Sequence, residues 1–390
     1  MNSRERVATA MQLGVPDRVP VMCQLAIGHY FLYSGLAPLE VWFTSEGFAE
    51  ALVKLARRYH FDGILVNLPG RDPDWETHVD RIDTAPRETR VHWKNGCFTT
   101  VPHDDNPHYY QPDGSRYFPT FEEVDPGALF YVEPWDLSDI TYPYTWGMEA
   151  EPRPRDAFFP PWNVDTVRAV RAKAGPELSV HGELFSPFAQ LLELLNYENA
   201  LLAILDDPGK VHACLAVLAE GAIDLGRRLA AEEIDAIDMA SPFAGAGLIS
   251  RQHYQEFVLP YERRVIDGIH AVRPDLPLYT HTCGSIGDRL DLMLETRTNG
   301  IDTLDPPPLG TVELPEAKRI LAGKAFIKGN VDPVNTLLNG TRERILADVA
   351  ERLAIGAEGG GYILSTACAV APHTRSEHIE LLAAVASSSS

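Results

Sequence analysis

Residues 276–284 read Leu-Pro-Leu-Tyr-Thr-His-Thr-Cys-Gly, a short apolar run that ends in a His-x-Cys pair. A run of this kind is typical of a buried strand, so His281 and Cys283 are expected to leave the strand's carboxyl end together. Cys368 follows a second such run far along the chain. An imidazole with two thiolates suits Zn²⁺ better than Mg²⁺ or Ca²⁺, and three protein ligands leave one position open for a reactant. A His-x-Cys pair also occurs by chance, and a buried cysteine is often only a small hydrophobe, so the fold must decide between these interpretations.

Apolar runs bounded by Gly, Pro or Asp recur along the chain, and most are followed by a longer segment with helical spacing. The eight runs are 19–23, 63–67, 178–182, 236–240, 276–280, 300–304, 325–328 and 361–365. Strands that alternate with helices pair in parallel through right-handed crossovers, and eight such units predict an α/β fold, a (β/α)₈ TIM barrel. A doubly wound open sheet is the structural alternative. Enzyme sites on such barrels lie at the carboxyl ends of the strands, where both halves of the His/Cys pattern fall.

The alternation predicts one barrel domain over residues 1–386. Residues 70–161 interrupt it, because they are rich in Pro, Tyr and Trp and contain a hairpin signal at Asn95-Gly96. We interpret this segment as an insertion after the second strand, at the barrel mouth. It would either shield a metal and present a docking surface, or simply cover barrel helices. Residues 387–390 are all serine and are expected to form a disordered tail.

The bulk composition excludes several classes of partner. The chain has 390 residues and a formal net charge of -21, from 55 acidic and 34 basic residues. Such a charge repels phosphate backbones and anionic lipid surfaces, so we expect neither nucleic acid nor membrane as a partner. No stretch approaches the roughly 18 apolar residues of a spanning helix, and the start lacks a signal-peptide pattern, which predicts a cytoplasmic protein. Five cysteines, an odd number, favour reduced thiols over a disulfide framework.

Four further polar residues follow or lie within the predicted strands. Glu183 comes directly after the third run, and we expect it to be a fourth metal ligand or a proton acceptor, or else a carboxylate paired with an arginine or a helix N-terminus. Asp238 is flanked by apolar residues inside a strand, where an acid has a structural or a catalytic purpose. Asn330 and Asp332 follow the seventh run; turn chemistry explains them, and substrate contact is the alternative.

Several motifs resemble the uroporphyrinogen decarboxylase superfamily, and within it the zinc-dependent, corrinoid-linked branch of methylcobamide:coenzyme M methyltransferases. The resemblance spans nearly the whole chain and rests on residues 4–7, 16–21, 256–261, 281–284, 328–333 and 359–366 with Cys368. It implies that His281, Cys283 and Cys368 are zinc ligands. It also implies a methyltransferase that moves a methyl group between methylcobalamin, a corrinoid carried by a partner protein, and a small thiol or a methylated donor activated on zinc. The direction of transfer stays open.

The chain departs from the decarboxylase branch at two places. Residues 23–30, Cys-Gln-Leu-Ala-Ile-Gly-His-Tyr, stand where that branch has an arginine-rich stretch for substrate carboxylates. Asn67 stands where the branch has an aspartate for pyrrole nitrogens, and a neutral amide cannot offer the same charge. We expect Asn67 to contact a different substrate. The alternatives are a decarboxylase-like lyase and a non-catalytic protein that binds a corrinoid or a tetrapyrrole.

Overall fold

A computed structural model describes residues 1–116, 118–133 and 154–388. Its main sheet contains seven parallel strands, whose order in space follows their order in the chain. These strands are β1 (Gly63–Val66), β6 (Ser179–Phe185), β7 (Ala236–Ala240), β8 (Leu278–Thr282), β9 (Gly300–Thr303), β10 (Phe326–Val331) and β11 (Tyr362–Thr366). All but one of their residues are buried, as expected for parallel strands covered on both faces.

Helices connect and cover these strands. The α-helices that precede the second strand of the main sheet are α1 (Ser3–Met11), α2 (Ile27–Tyr33), α3 (Pro38–Phe43), α4 (Ser45–Arg58) and α5 (Asp165–Ala174). The later ones are α6 (Pro187–Leu195), α7 (Tyr197–Asp206), α8 (Pro208–Ala231), α9 (Arg251–His253), α10 (Leu259–His270), α11 (Leu290–Glu295), α12 (Leu314–Leu321), α13 (Arg342–Ala357) and α14 (Ser376–Ser388). Two π-helical segments, Tyr254–Val258 and Pro333–Leu338, lie between α9 and α10 and before α13. No described helix is both long enough and apolar enough to cross a membrane.

The first predicted run joins the two ends of the sheet. Val21 forms a parallel bridge with Leu364 of β11, and the amide of Asp62, just before β1, donates to the carbonyl of Val21. The buried carboxylate of Asp62 strengthens this junction, because it accepts from the Val21 amide and pairs with Arg6 and Arg18. The strands therefore curl round into a TIM-like α/β barrel, and the doubly wound open sheet is excluded.

An apolar layer fills the amino-terminal end of the barrel. Met22, Leu65, Ala236, Tyr279, Phe326 and Ile363 form one buried cluster with Val7, Ala10 and Met11 of α1. Helix α1 thus covers the end of the barrel that lies away from the candidate site. Above this layer, the inward-facing residues become polar.

Residues 70–161 contain a second, antiparallel sheet. Its strands are β2 (Val79–Thr84), β3 (Glu88–Trp93), β4 (Phe98–Pro102) and β5 (His108–Tyr110), with the predicted hairpin at Asn95-Gly96 between β3 and β4. Trp75, just before this sheet, stacks on Phe43 of α3 with ring centroids 4.7 Å apart. At the other end, the amide of Phe185 at the carboxyl end of β6 donates to the Tyr131 hydroxyl. Residues 134–153 of the segment lie outside the described residues.

The carboxyl-terminal helix extends further than the sequence indicates. Helix α14 includes Ser387 and Ser388, the first two residues of the segment that we expected to be disordered. The last two serines lie outside the described residues.

Candidate metal centre

The structure brings His281, Cys283 and Cys368 together at the carboxyl end of the barrel. His281 lies on β8, Cys283 follows that strand directly, and Cys368 follows β11, three strands away in the sheet. The Cys283 Sγ atom lies 3.3 Å from His281 Nε2 and 3.8 Å from Cys368 Sγ. All three donor atoms lie within 4.8 Å of one another. The two parts of the sequence pattern therefore converge on one point.

The distances between these donor atoms fit one tetrahedral zinc ion. Zn–S bonds of about 2.3 Å and a Zn–N bond of about 2.1 Å, at tetrahedral angles, separate two sulfurs by roughly 3.8 Å and a sulfur from a nitrogen by roughly 3.6 Å. The observed separations of 3.8 and 3.3 Å are close to both values. The hydrogen bond between the two sulfurs lowers the pKa of Cys368 well below its usual range and raises that of Cys283. The residues present are thus able to hold zinc.

Asp302 and Lys328 support His281 from the adjacent strands. In the register of β8, β9 and β10, His281 is paired with Asp302, and Asp302 with Lys328. Asp302 Oδ2 lies 3.0 Å from His281 Nδ1 and 2.8 Å from Lys328 Nζ. Burial alone would raise the pKa of Asp302, but the charge of Lys328 and the hydrogen bond with His281 hold it at about 2. A carboxylate at Nδ1 orients the ring and leaves Nε2 free to bind a metal.

Two further carboxyl groups, those of Glu183 and Asp238, lie beside His281 and Asp302. They are paired in the register of β6 and β7. A carboxylate oxygen of Asp238 lies within 4.8 Å of a ring nitrogen of His281 and of an oxygen of Asp302. Burial, followed by the charge of Asp302, raises the pKa of Asp238 to about 7, and burial with the charge of Asp238 raises that of Glu183 well above its usual value. A carboxyl group with a pKa near 7, such as that of Asp238, exchanges protons near neutral pH.

Glu183 is not held by an ion pair. Among the described residues it has no arginine or helix N-terminus as a partner, so the structure does not support the structural explanation of this residue. Neither carboxylate oxygen of Asp238 meets a donor within the same residues. Both side chains are therefore available to a ligand.

The three predicted substrate-binding residues differ in their surroundings. Asn67 follows β1, is buried, and lines a cavity that Glu183 also lines. Asn330 is fully buried, and both ends of its amide are engaged: Nδ2 donates to the Leu304 carbonyl, and Oδ1 accepts from Arg352 of α13.

Asp332 has a local role. It accepts from the amides of Val334 and Asn335 at the start of the segment Pro333–Leu338. Turn chemistry accounts for it, as the sequence indicates. The structure therefore gives no support to a substrate contact by Asp332 or by Asn330.

Four polar residues of the cluster and its cavity are not predicted from the sequence. Asp302 and Lys328 lie in apolar strand runs, the same signal that identified Asp238. Glu133 and Asn163 line the cavity beside Glu183, but they come from segments without regular periodicity. No local pattern marks these last two.

Comparison with known proteins places the chain in a family. The family model for uroporphyrinogen decarboxylase (URO-D) matches residues 149–388, which is more than half of the chain. The protein therefore belongs to the uroporphyrinogen decarboxylase family, and its barrel is the fold of that family.

The relatives include both methyltransferases and decarboxylases. The chain is 25% identical over 221 residues to the methylcobamide:CoM methyltransferase MtaA of Methanosarcina barkeri, covering 57% of this chain and 61% of that protein. It is 28% identical over 196 residues to a methylated-thiol–coenzyme M methyltransferase of Methanosarcina mazei, covering 50% and 49%. It is 29% identical over 175 residues to a uroporphyrinogen decarboxylase of Shewanella piezotolerans, covering 44% and 47%. The match thus spans less than two thirds of each of these relatives.

A solved methyltransferase from Methanosarcina mazei has the same overall fold. It superposes with a TM-score of 0.69 at 18% sequence identity, covering all of this chain and 99% of the other. At this identity the likeness concerns the fold alone.

Proposed function

We propose that the protein is a zinc-dependent methyltransferase that moves a methyl group between a corrinoid and a small thiol or a methylated donor. The observation that carries this proposal is the convergence of His281 Nε2 and the sulfurs of Cys283 and Cys368 at separations that suit one tetrahedral ion. The methyltransferase names of several relatives support it. We further propose that the corrinoid, as methylcobalamin, is carried by a partner protein that docks at the barrel mouth.

Zinc, when bound, would keep a substrate thiol ionised at neutral pH, or would polarise the heteroatom of a methyl donor. The two cysteine thiolates and the neutral His281 imidazole would cancel the charge of the ion, so a substrate sulfur keeps its electron density. Asp302 holds the imidazole in the tautomer that this requires. Asp238, whose pKa is raised to about 7, receives the thiol proton, and Glu183 beside it is the alternative acceptor. In transfer to a thiol, the Co–C bond breaks with its electron pair left on cobalt, and a sulfur electron pair forms the new S–C bond.

The proposal extends to the fold. We propose that residues 19–25 complete the barrel as its eighth strand, giving a (β/α)₈ domain over residues 1–386. Residues 70–161 are then an insertion after the second strand that covers part of the barrel mouth. The contacts of Tyr131 with β6 and of Trp75 with α3 support this placement.

The charge of the site favours methyl transfer over porphyrinogen decarboxylation. A substrate with many carboxylates needs cationic partners, whereas the cluster and its cavity contain the carboxyl groups of Glu133, Glu183, Asp238 and Asp302. Lys328 is already paired with Asp302, and the charge of Arg71 only partly opposes the rise in the pKa of Glu133. Further carboxylates would be repelled.

Methyl transfer from methylcobalamin to a panel of thiols, and from methylated donors to reduced cobalamin, tests the proposal directly. We expect zinc-loaded protein to demethylate methylcobalamin with at least one thiol, followed through the cobalamin absorption spectrum, and chelator-treated protein to be inactive. Zinc-loaded protein that transfers no methyl group in either direction would leave only a binding function.

Replacement of Asp302 by Asn is expected to lower zinc affinity about 10- to 100-fold, because the amide no longer fixes the imidazole as a carboxylate does. Competition with a zinc-binding dye measures this change. The control is Asp291→Asn, which removes an exposed carboxylate paired with Arg251. Equal zinc affinity in Asp302→Asn and wild-type protein would show that Asp302 does not support a metal ligand.

A further inference from the structure

A narrow cavity lies next to the metal centre, between the carboxyl ends of β1 and β6. Its polar lining comes from Asn67, Glu133, Asn163 and Glu183, and its apolar lining includes Val66 and Phe185. Glu183 connects the cavity with the metal centre, because it faces the cavity and is also the register partner of Asp238. The Glu183 side chain therefore lies between the cavity and the metal centre.

The polar groups of this cavity lack partners. Asn163 is 4% exposed and Asn67 is 8% exposed. Three of their amide atoms, Asn163 Oδ1, Asn163 Nδ2 and Asn67 Oδ1, have no hydrogen-bond partner among the described residues. Glu133 is 5% exposed and has no ion-pair or hydrogen-bond partner among the same residues. Buried polar groups in proteins are nearly always hydrogen-bonded, so three such side chains around one cavity indicate a ligand that pairs with them.

The charges indicate the nature of that ligand. Burial raises the pKa of Glu133 to about 7, although the charge of Arg71 partly opposes this. Glu183 and Asp238 form no ion pair with a lysine or an arginine among the described residues, since Lys328 is paired with Asp302. An anion placed here would meet several carboxyl groups, whereas a cation would stabilise their ionised forms. The free amide and carboxyl oxygens are acceptors, which suits an ammonium group with several N–H donors.

We propose that this cavity binds the ammonium group of an aminothiol, or of its S-methyl derivative, while the sulfur of the same molecule lies at the metal centre. This inference rests on the proposed function and specifies its substrate class. The cavity has a volume of about 20 Å³, room for one group the size of a water molecule or an ammonium, and Val66 and Phe185 would border that group. The names of several relatives specify coenzyme M, a thiol that ends in a sulfonate. Such a thiol would place a negative charge against Glu133 and Glu183.

Three two-carbon thiols that differ in the charge of their far end test the proposal. They are 2-aminoethanethiol, 2-mercaptoethanol and 2-mercaptoethanesulfonate, each titrated calorimetrically into the zinc-loaded full chain. We expect 2-aminoethanethiol to bind about tenfold or more tightly than 2-mercaptoethanol, as for a hydrogen-bonded charge, and the sulfonate to bind most weakly. The three thiols also differ in the acidity of their S–H groups, which affects binding to zinc in any protein. The change that a mutation causes in the ratio of their affinities therefore measures the contribution of the cavity.

Glu133→Gln is expected to reduce the preference for the aminothiol about tenfold, because it removes the carboxylate that faces the ammonium group. Glu262→Gln is the control: Glu262 is equally buried but lies on α10, where it accepts from the Tyr254 hydroxyl, and the preference should persist in this variant. If Glu133→Gln does not fold, as judged by circular dichroism, Asn163→Leu gives the same test, because it removes the unpaired amide and keeps the side-chain volume.

Each outcome has one meaning. A preference that is present in wild-type protein, lost in Glu133→Gln and kept in Glu262→Gln supports the proposal. Binding of all three thiols without a preference for the amine, or with a preference that Glu133→Gln leaves unchanged, overturns the inference and leaves the zinc methyltransferase proposal intact. If no thiol binds to zinc-loaded protein, the proposed function fails and the inference fails with it.

Discussion

Replacing Cys368 with serine is expected to reduce zinc affinity about 100- to 1000-fold, because structural zinc sites bind with about 10–16 kcal/mol from four ligands and the change removes one of them. Cys283→Ser should have a similar effect, since its sulfur lies 3.8 Å from that of Cys368. Methyl transfer should fall at least as steeply in both variants. Zinc content after dialysis against a weak chelator, measured by atomic emission and expressed per chain, provides the test.

Cys214→Ser is the matched control for these variants. Cys214 is fully buried in helix α8, and no donor atom of the cluster belongs to that helix. This variant should lose stability through poorer packing but retain its zinc. If Cys368→Ser kept as much zinc as Cys214→Ser, the metal would have to bind elsewhere.

Replacing Lys328 with methionine is expected to lower the free energy of unfolding by about 3–5 kcal/mol at neutral pH, because it leaves the buried Asp302 carboxylate without its cation. Lys328 and Asp302 are 1% and 2% exposed, so water cannot replace the lost partner. Without Lys328, burial would raise the pKa of Asp302 from its wild-type value, although the hydrogen bond with His281 would still oppose that rise. The destabilisation is therefore largest above that raised pKa and shrinks as the pH falls through it.

Urea denaturation of zinc-free protein at pH 5 and pH 7.5 measures both effects. Lys324→Met is the control, because Lys324 is exposed and its Nζ atom donates to a backbone carbonyl of α12 without an acidic partner. Its free energy of unfolding should stay within about 0.5 kcal/mol of the wild-type value. A Lys328→Met protein as stable as wild type at pH 7.5 would show that Asp302 is not charged in the folded state.

The strands could be predicted from the sequence because parallel strands are buried on both faces and therefore appear as apolar runs. The run 236–240 coincides with strand β7, for example. The run 19–23 is the exception, since it forms a single parallel bridge, between Val21 and Leu364, and not a regular strand. Pro20 within this run has no amide hydrogen to donate to a ladder, which limits regular pairing.

Only those residues of the candidate site that follow from local sequence spacing could be predicted. His281 and Cys283 share one turn, and the barrel order brought Cys368 to the same rim. Asp302 and Lys328 were not predicted as site residues, because their contact with His281 depends on the register of three neighbouring strands. The amide of Asn330 is engaged by Arg352 of a covering helix, a contact that no strand pattern reveals. Glu133 and Asn163 meet through tertiary packing of irregular segments.

The coordination of zinc in the loaded protein tests the central claim most directly. X-ray absorption at the zinc edge should show two sulfur ligands at about 2.3 Å together with nitrogen or oxygen ligands at about 2.0–2.2 Å. Added thiol should raise the sulfur count from two to three. A coordination sphere without sulfur, or one that thiol leaves unchanged, would contradict a reactive centre at His281, Cys283 and Cys368.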